Sequence, residues 1–292
     1  MSGGPTGAGT FEDRYFTVRD GLKLHFRDYP GRTSRPPLLC LPGLTRNSRD
    51  FARVAETFSP SFRVLALEFR GRGSSDYDPM PERYLPTTYA ADVIELLDHL
   101  TVDRAIFVGT SLGGLVTMPV AARSSERIAA SILNDIGPEL MTAGLDRIRG
   151  YVGVDARFGS WDEAAERIAA NSSYMPARYS HEDWVKMAHR VCREDDGAIR
   201  FDYDFAIALP FDTRGAVPSI DMWPLFKALG EHPLLVVRGE QSDLLSAAAL
   251  ERMHEAVPAM QSVTVPGVAH APMLDEPEAV EAIRAFLGSL RF

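Results

Sequence analysis

The stretch Ala105-Ile106-Phe107-Val108-Gly109-Thr110-Ser111-Leu112-Gly113-Gly114 limits the fold of this chain more than any other part of it. Its opening run of apolar residues, rich in β-branched side chains, fits a strand buried on both faces of a parallel sheet. G-x-S-x-G comes directly after it, followed by residues able to form a helix. The order strand, tight turn, helix places Ser111 on a sharp bend, with its backbone strained and its hydroxyl exposed. Gly109 and Gly113 leave room where strand and helix approach, because a side chain at either position would collide. A helix beginning just after Ser111 turns its free N–H groups and its positive end toward that hydroxyl.

The flanking sequence alternates strand and helix signals. Tyr15 to Arg19 and Leu22 to Tyr29 alternate apolar and polar around Asp20-Gly21, a hairpin signal. Pro36 to Leu41 and Phe62 to Leu67 read as strands. Between them Ser48 to Phe58 has helical spacing, with Ser48 available as its cap. Arg70 to Asp76 lacks the spacing of a phosphate loop and reads as a tight turn tied by arginine and serine hydrogen bonds. Thr88 to Leu100 is a helix with Ala90, Val93, Ile94 and Leu97 on one face, and Ala129 to Asn134 is the strand after the Ser111 helix. This grammar predicts a doubly wound, mostly parallel sheet with an antiparallel hairpin at its start.

From about Gly137 to Gly230 the signals are mostly helical: Pro138 to Tyr151, Trp161 to Ala170, His181 to Arg193 and Met222 to Leu229. Ser160-x-x-Glu163 and Ser180-x-x-Asp183 are capping boxes. Strand grammar returns at Pro233 to Arg238, then helix Ala247 to Ala256, strand Ser262 to Val265 and helix Pro277 to Leu290. An insertion of about 90 residues between two strands far exceeds the usual loop. The expected organisation is a disordered tail at 1–12, a core of 13–136 and 231–292, and a helical cap at 137–230. Trp161, Trp184, Trp223, Met175, Phe205 and Phe211 suit the roof of an apolar pocket, at least half of them also holding the insertion's own helices together.

A net charge of −9 repels nucleic acid and anionic membranes, so neither is expected as a partner. Cys40 and Cys192 make no disulfide framework, and no Cys/His cluster has metal-ligand spacing, so no metal is expected. Met1 to Glu12 is Gly-rich without the basic start and apolar stretch of a signal peptide. No stretch approaches the ~18 apolar residues of a membrane span. These features predict a cytoplasmic protein acting on a small molecule, and they leave the oligomeric state open.

A serine hydroxyl needs a base and an orienting group to become a nucleophile at neutral pH. Of seven histidines, His25, His99, His181, His189, His232 and His254 sit where surface or structural roles are ordinary. His270 differs, lying in Pro266-Gly267-Val268-Ala269-His270-Ala271-Pro272, a loop leaving the last strand at the sheet's carboxyl edge, where ligands of open parallel sheets bind. The third member should be a carboxylate after the preceding strand, and Asp243 fits. Glu240 is its local competitor. Asp135, just past the strand that follows the nucleophile, is the more serious one, its alternative role being a carboxylate bonded to backbone N–H groups at the base of the lid. Asp243 is preferred.

With Gly109 to Gly114, Gly267 to Pro272, Asp243 and the Arg70 to Ser75 turn in view, the chain resembles the α/β-hydrolase fold family, in its lidded branch of small serine esterases and carbon–carbon bond hydrolases. The resemblance runs from about Tyr15 to the end. It implies a catalytic triad of Ser111, His270 and Asp243, an oxyanion hole made by the N–H groups of Leu44 and Leu112, and no cofactor. One departure is Pro42-Gly43 where many members carry His-Gly; proline has no N–H, but the family's donor is the next residue, Leu44. A serine nucleophile disfavours epoxide and haloalkane chemistry, which use an aspartate there. The expected activity is hydrolysis of a small-to-medium carboxylic ester or lactone. The alternatives are a carbon–carbon bond hydrolase of a dienoate or β-diketone, with Arg46, Arg147 or Arg178 facing Ser111, and a non-catalytic ligand receptor.

Overall fold

The computed structural model describes residues 10–172, 179–212 and 221–292. Its first half runs β1 (Glu12–Thr17), β2 (Lys23–Tyr29), β3 (Leu38–Leu41), α1 (Ala52–Phe58), β4 (Val64–Leu67), α2 (Pro86–His99), β5 (Ala105–Thr110), α3 (Leu112–Arg123) and β6 (Ile128–Asn134). A long segment then carries α4 (Thr142–Arg149), β7 (Arg157–Phe158), α5 (Trp161–Asn171), α6 (His181–Val191), β8 (Cys192–Asp195), β9 (Ala198–Phe201), α7 (Leu209–Asp212) and α8 (Trp223–Leu229). The chain returns through β10 (Leu234–Gly239), α9 (Ala247–Ala256), β11 (Gln261–Val265) and α10 (Pro277–Ser289).

Among the described residues eight strands form one sheet in the order β1-β2-β4-β3-β5-β6-β10-β11. β2 runs against both its neighbours, and every other pairing is parallel. Because side chains alternate across a strand, each central strand needs apolar residues at every position. Leu39, Leu41, Phe107, Leu133 and Val236 face one layer, formed by α2, α3, α8 and α9. Leu38, Cys40, Ile106, Val108, Ile132 and Val237 face the other, formed by α1 and α10. The chain has the α/β-hydrolase fold.

Several local expectations meet small corrections. Of the tail expected at 1–12, residues 1–9 lie outside the described residues, while Phe11 already packs on Tyr29, with their ring centroids 5.2 Å apart, and β1 opens at Glu12. Ser48 does not cap its helix. Asn47 does, accepting from Arg49 N–H, because the Ser48 hydroxyl donates to buried Glu68 at 2.6 Å. The mostly helical segment after β6 also contains a three-stranded antiparallel sheet in the order β7-β9-β8. Asp196 and Gly197, both at positive φ (54° and 74°), make the hairpin turn between β8 and β9. Ser180 and Asp183 form the full capping box; Ser160 accepts from Glu163 N–H, but the Glu163 carboxylate takes Gly159 N–H instead.

Glu68, at the carboxyl end of β4, ties three segments together. It accepts from Ser48 N–H at 3.2 Å and Ser74 N–H at 2.6 Å, and His25 Nδ1 of β2 stands 2.9 Å away. Burial works against ionisation of both groups, and their mutual attraction outweighs it: the Glu68 carboxyl is held below its usual range and the His25 imidazole above. A raised histidine pKa contributes stability that is complete below the ordinary value of about 6.5 and lost as pH rises through the native value. The lowered carboxyl contributes stability present above its ordinary value of about 4.3 and lost in acid. The melting temperature of the wild type is therefore expected to fall as pH rises above about 6.5, and His25→Gln to flatten that fall. Thermal melts of the two proteins between about pH 6 and 9 measure the difference, and equal slopes would contradict the assignment.

Candidate active site

β5 ends at Thr110, and Ser111 takes φ 50° and ψ −111° before α3 begins at Leu112. A non-glycine residue held there stores roughly 1–3 kcal/mol of strain, which the surroundings must over-determine. They do so through the backbone: Ser111 N–H donates to Asn134 O of β6 at 3.0 Å, and Gly114 and Leu115 N–H donate back to Ser111 O. A Cβ on Gly113 would lie 2.1 Å from Leu41 O of β3, and one on Gly109 would lie 2.6 Å from the Gly113 carbonyl carbon. The two glycines let α3 start in contact with two strands. Leu112, as the first helical residue, has no intrahelical acceptor for its N–H.

His270 Nε2 stands 2.9 Å from Ser111 Oγ, and its Nδ1 stands 2.8 Å from Oδ2 of Asp135. The loop that carries it is fastened on both sides: Asn134 Nδ2 donates to Pro272 O at 2.8 Å, and Gly267 N–H donates to Glu240 at 2.8 Å. Asp135 is fully buried, at φ 55° one residue beyond β6. Its second oxygen, Oδ1, accepts the Gly239 N–H at 2.9 Å, so both ends of the carboxylate are satisfied.

The acid beside the imidazole is thus Asp135, not the preferred Asp243. Asp243 is occupied by Arg147 of α4, which donates from Nε at 2.6 Å and from Nη2 at 2.9 Å. Burial opposes ionisation of Asp243, but the guanidinium prevails and holds its carboxyl below the usual range. The backbone around it is claimed as well, since Met141 N–H donates to Leu244 O, and a Cβ on Gly144 would lie 2.5 Å from Asp243 O. Glu240, the other competitor, braces the histidine loop without touching the imidazole. A signal for Asp135 was present: aspartate tolerates the left-handed backbone better than most residues, and it ends the strand adjoining β5.

Ser111 and His270 open into a cavity of about 180 Å³, below the roughly 300–1,000 Å³ of sites that take drug-sized ligands. Its core wall includes Gly43, Leu44, Thr110 and Leu274, and its outer wall Ile148, Tyr151, Trp184, Met187 and Tyr203 from the segment between β6 and β10. Of the aromatic and methionine residues expected to roof it, Trp184 does. Trp161 stacks on His189 at 3.8 Å, Trp223 packs on Phe226, and Phe205 packs on Tyr203. Met175, Arg178 and the side chain of Phe211 lie outside the described residues. Arg46 and Arg147 both reach the cavity, each gripped bidentately, by Asp50 and Asp243 respectively. Among the described residues no group of three or more His, Cys, Asp or Glu side chains is arranged to hold a metal ion, and no helix is long and apolar enough to cross a membrane.

Residues 38–283 match the family model described as the alpha/beta hydrolase family. The chain belongs to that family. It is 32% identical to the 3-hydroxybutyrate-oligomer hydrolase of Cupriavidus necator, over 83% of this chain and 85% of that one. It is 31% identical to the 2-(acetamidomethylene)succinate hydrolase of Mesorhizobium japonicum, over 87% and 88%. Among solved structures, an alpha/beta hydrolase from Novosphingobium aromaticivorans superposes with a TM-score of 0.90 at 49% identity, covering 95% of this chain and 98% of that one. The chain is an enzyme, a hydrolase of this fold, and the receptor alternative finds no support among these relatives. The bend at Ser111 depends on absent side chains. Gly113→Ala is expected to cost about 2 kcal/mol or more by overpacking against Leu41 O. A urea titration beside the wild type reads the loss, and an unchanged midpoint would contradict the close approach.

Proposed function

We propose that this enzyme is a serine hydrolase of small-to-medium carboxylic esters or lactones, working through an acyl-enzyme on Ser111. The observation that carries the reading is the continuous line from the Ser111 hydroxyl through His270 to Asp135, with its serine end at the cavity. His270 Nε2 takes the hydroxyl proton as Oγ attacks the ester carbonyl, and the carbonyl oxygen becomes an oxyanion. Asp135 holds the imidazole with Nδ1–H toward it and stabilises the imidazolium. The N–H groups of Leu44 and Leu112 receive the oxyanion. As the tetrahedral centre collapses, Nε2–H delivers the proton to the leaving alkoxide. Water then gives a proton to the same nitrogen, attacks the acyl carbon and restores the free serine with the acid as product. The segment at 137–230 acts as the cap of the site.

The cavity's modest size favours a short acyl or alcohol group. The two arginines that reach it are compensated by carboxylates, which favours an uncharged reacting group over the anionic dienoate of the carbon–carbon alternative. Likeness to a hydrolase of 3-hydroxybutyrate oligomers supports the same choice, since oligomers of a hydroxy acid are joined by esters.

Ser111→Ala is expected to lower kcat on a short-chain nitrophenyl ester by about four orders of magnitude or more, because triad members act as a unit. A fluorophosphonate should label the wild type and not this variant. More than a hundredth of the activity remaining would overturn the serine mechanism. Asp135→Asn is expected to lower kcat by about 10³–10⁴. Asp243→Asn should change it by less than about tenfold, because Asp243 serves Arg147 and not the imidazole. Steady-state kinetics of the two asparagine variants decide between the acids, and the reverse ranking would return Asp243 to the triad.

A further inference from the structure

Two buried arginines sit two residues apart in the turn after β4, and their environments differ in kind. Arg70 is met by three carboxylates, those of Asp20, Asp78 and Asp92. Arg72 is completely inaccessible to solvent and, among the described residues, has no carboxylate within ion-pair distance. Its Nε donates to Leu44 O at 2.9 Å, and its Nη1 donates to Arg70 O at 2.7 Å and to the Tyr89 hydroxyl at 2.8 Å. Its guanidinium lies over the rings of Tyr89 and Tyr84, 4.9 and 5.5 Å from their centroids. Nη2 is buried and, among the described residues, has no hydrogen-bond partner. An isolated buried cation is expensive, and tying two carbonyls together needs no charge at all.

We infer that Arg72 is a positioning residue for the oxyanion-binding turn, fixing Leu44 and placing an uncompensated positive charge behind the point where the ester oxygen becomes negative. The inference rests on the serine-hydrolase reading given above. The turn lies against the nucleophile, since a Cβ on Gly43 would be 3.9 Å from the Ser111 Cβ. Both carbonyls that flank the Leu44 N–H are engaged elsewhere, Gly43 O by Arg46 N–H at 3.2 Å and Leu44 O by Arg72. Among the described residues the Leu44 N–H itself has no hydrogen-bond acceptor, and Leu44 lines the cavity. Arg72 has a planar fork, so it holds Leu44 O and Arg70 O in one plane, and a lysine cannot reproduce that grip. The stacked tyrosine faces and the absent counterion keep its charge available to the developing oxyanion.

The test compares wild type, Arg72→Gln and Arg72→Lys on a short-chain nitrophenyl ester. Removing a whole oxyanion donor costs about 10²–10³ in kcat, and misplacing one should cost less, so Arg72→Gln is expected to lose about 30-fold in kcat with KM within about threefold. Arg72→Lys keeps the charge and should recover part of that loss, ending about tenfold below wild type. Affinity for a trifluoromethyl ketone, whose adduct on Ser111 carries the oxyanion, should fall in step with kcat/KM. Binding of the intact ester, measured in the Ser111→Ala background, should stay unchanged. Equal ketone affinity in Arg72→Gln and wild type overturns the inference, as does a parallel loss of ester binding and ketone binding. If the glutamine variant fails to fold, Arg72→Lys decides, and wild-type kcat in it is equally fatal. A wild type that resists fluorophosphonate would instead sink the serine reading itself, whereas a wild type that labels beside an Arg72→Gln that labels equally fast sinks the role of Arg72 alone.

Discussion

Two backbones meeting without side chains between them set the geometry of this enzyme. The first turn of α3 rests on the end of β3 because Gly113 has no Cβ to strike Leu41 O, and β5 rests on α3 because Gly109 has none either. This contact leaves the chain no path from strand to helix except the bend at Ser111, at φ 50°. The strain of that bend is borne by the sheet, through Ser111 N–H on Asn134 O. The order of the sheet follows outward from there. β6 lies beside β5, so the residue after Asn134 comes up next to the nucleophile. β10 and β11 come next, and the loop from β11 carries His270 back past the ends of β10 and β6 to reach the serine.

Asp135 and Asp243 both stand at that edge, and local bonding divides the work between them. A carboxylate with no exposure must have every strong acceptor site answered. Asp135 meets that requirement with one backbone N–H and one imidazole, a fixed partner on each oxygen. Asp243 keeps a quarter of its side chain in solvent and spends its charge on Arg147, which joins the core to α4. The imidazole therefore sees one acid through a hydrogen bond and the other only as a more distant charge. Under the proposed mechanism this separates orientation of the histidine from attachment of the segment above it, so neither carboxylate serves two ends.

The central sheet was legible in the sequence because its physics is local. Apolar runs such as Ile106 to Val108 and Leu234 to Val237 are buried on both faces, and the turns between elements carry their own glycines and prolines. Helix α9 falls on the residues its spacing indicates, Ala247 to Ala256. The hairpin of β8 and β9 was not legible from hydrophobic pattern, since Cys192-Arg193-Glu194-Asp195 has almost no apolar face, although Asp196-Gly197 marked its turn. Ser111 and His270 could be named from their motifs. The acid could not be chosen the same way, because Asp135 and Asp243 both follow strands at the same edge. What separates them is Arg147, a partner 96 residues from Asp243, and no local pattern encodes that.

The segment between β6 and β10 is seated by the same residues that shape the site beneath it. At one end α4 is bound through Arg147 to Asp243 and through Met141 N–H to Leu244 O. At the other, Asp204 N–H donates to Gly71 O at 2.7 Å and Gly73 N–H to Asp202 O at 3.0 Å, while the Tyr84 hydroxyl donates to Asp204. Gly71 and Gly73 flank Arg72, whose guanidinium holds Leu44, and Tyr203 between the two aspartates lines the cavity. The outer wall of the pocket and the turn beside the nucleophile thus share one clamp. The Asp202–Asp204 strip therefore touches both at once, the cavity through Tyr203 and the Leu44 turn through the backbone on either side of Arg72. α5 reaches the cavity by a separate route, lining it with Ile168 and Asn171 while its cluster with α6 packs largely within the segment.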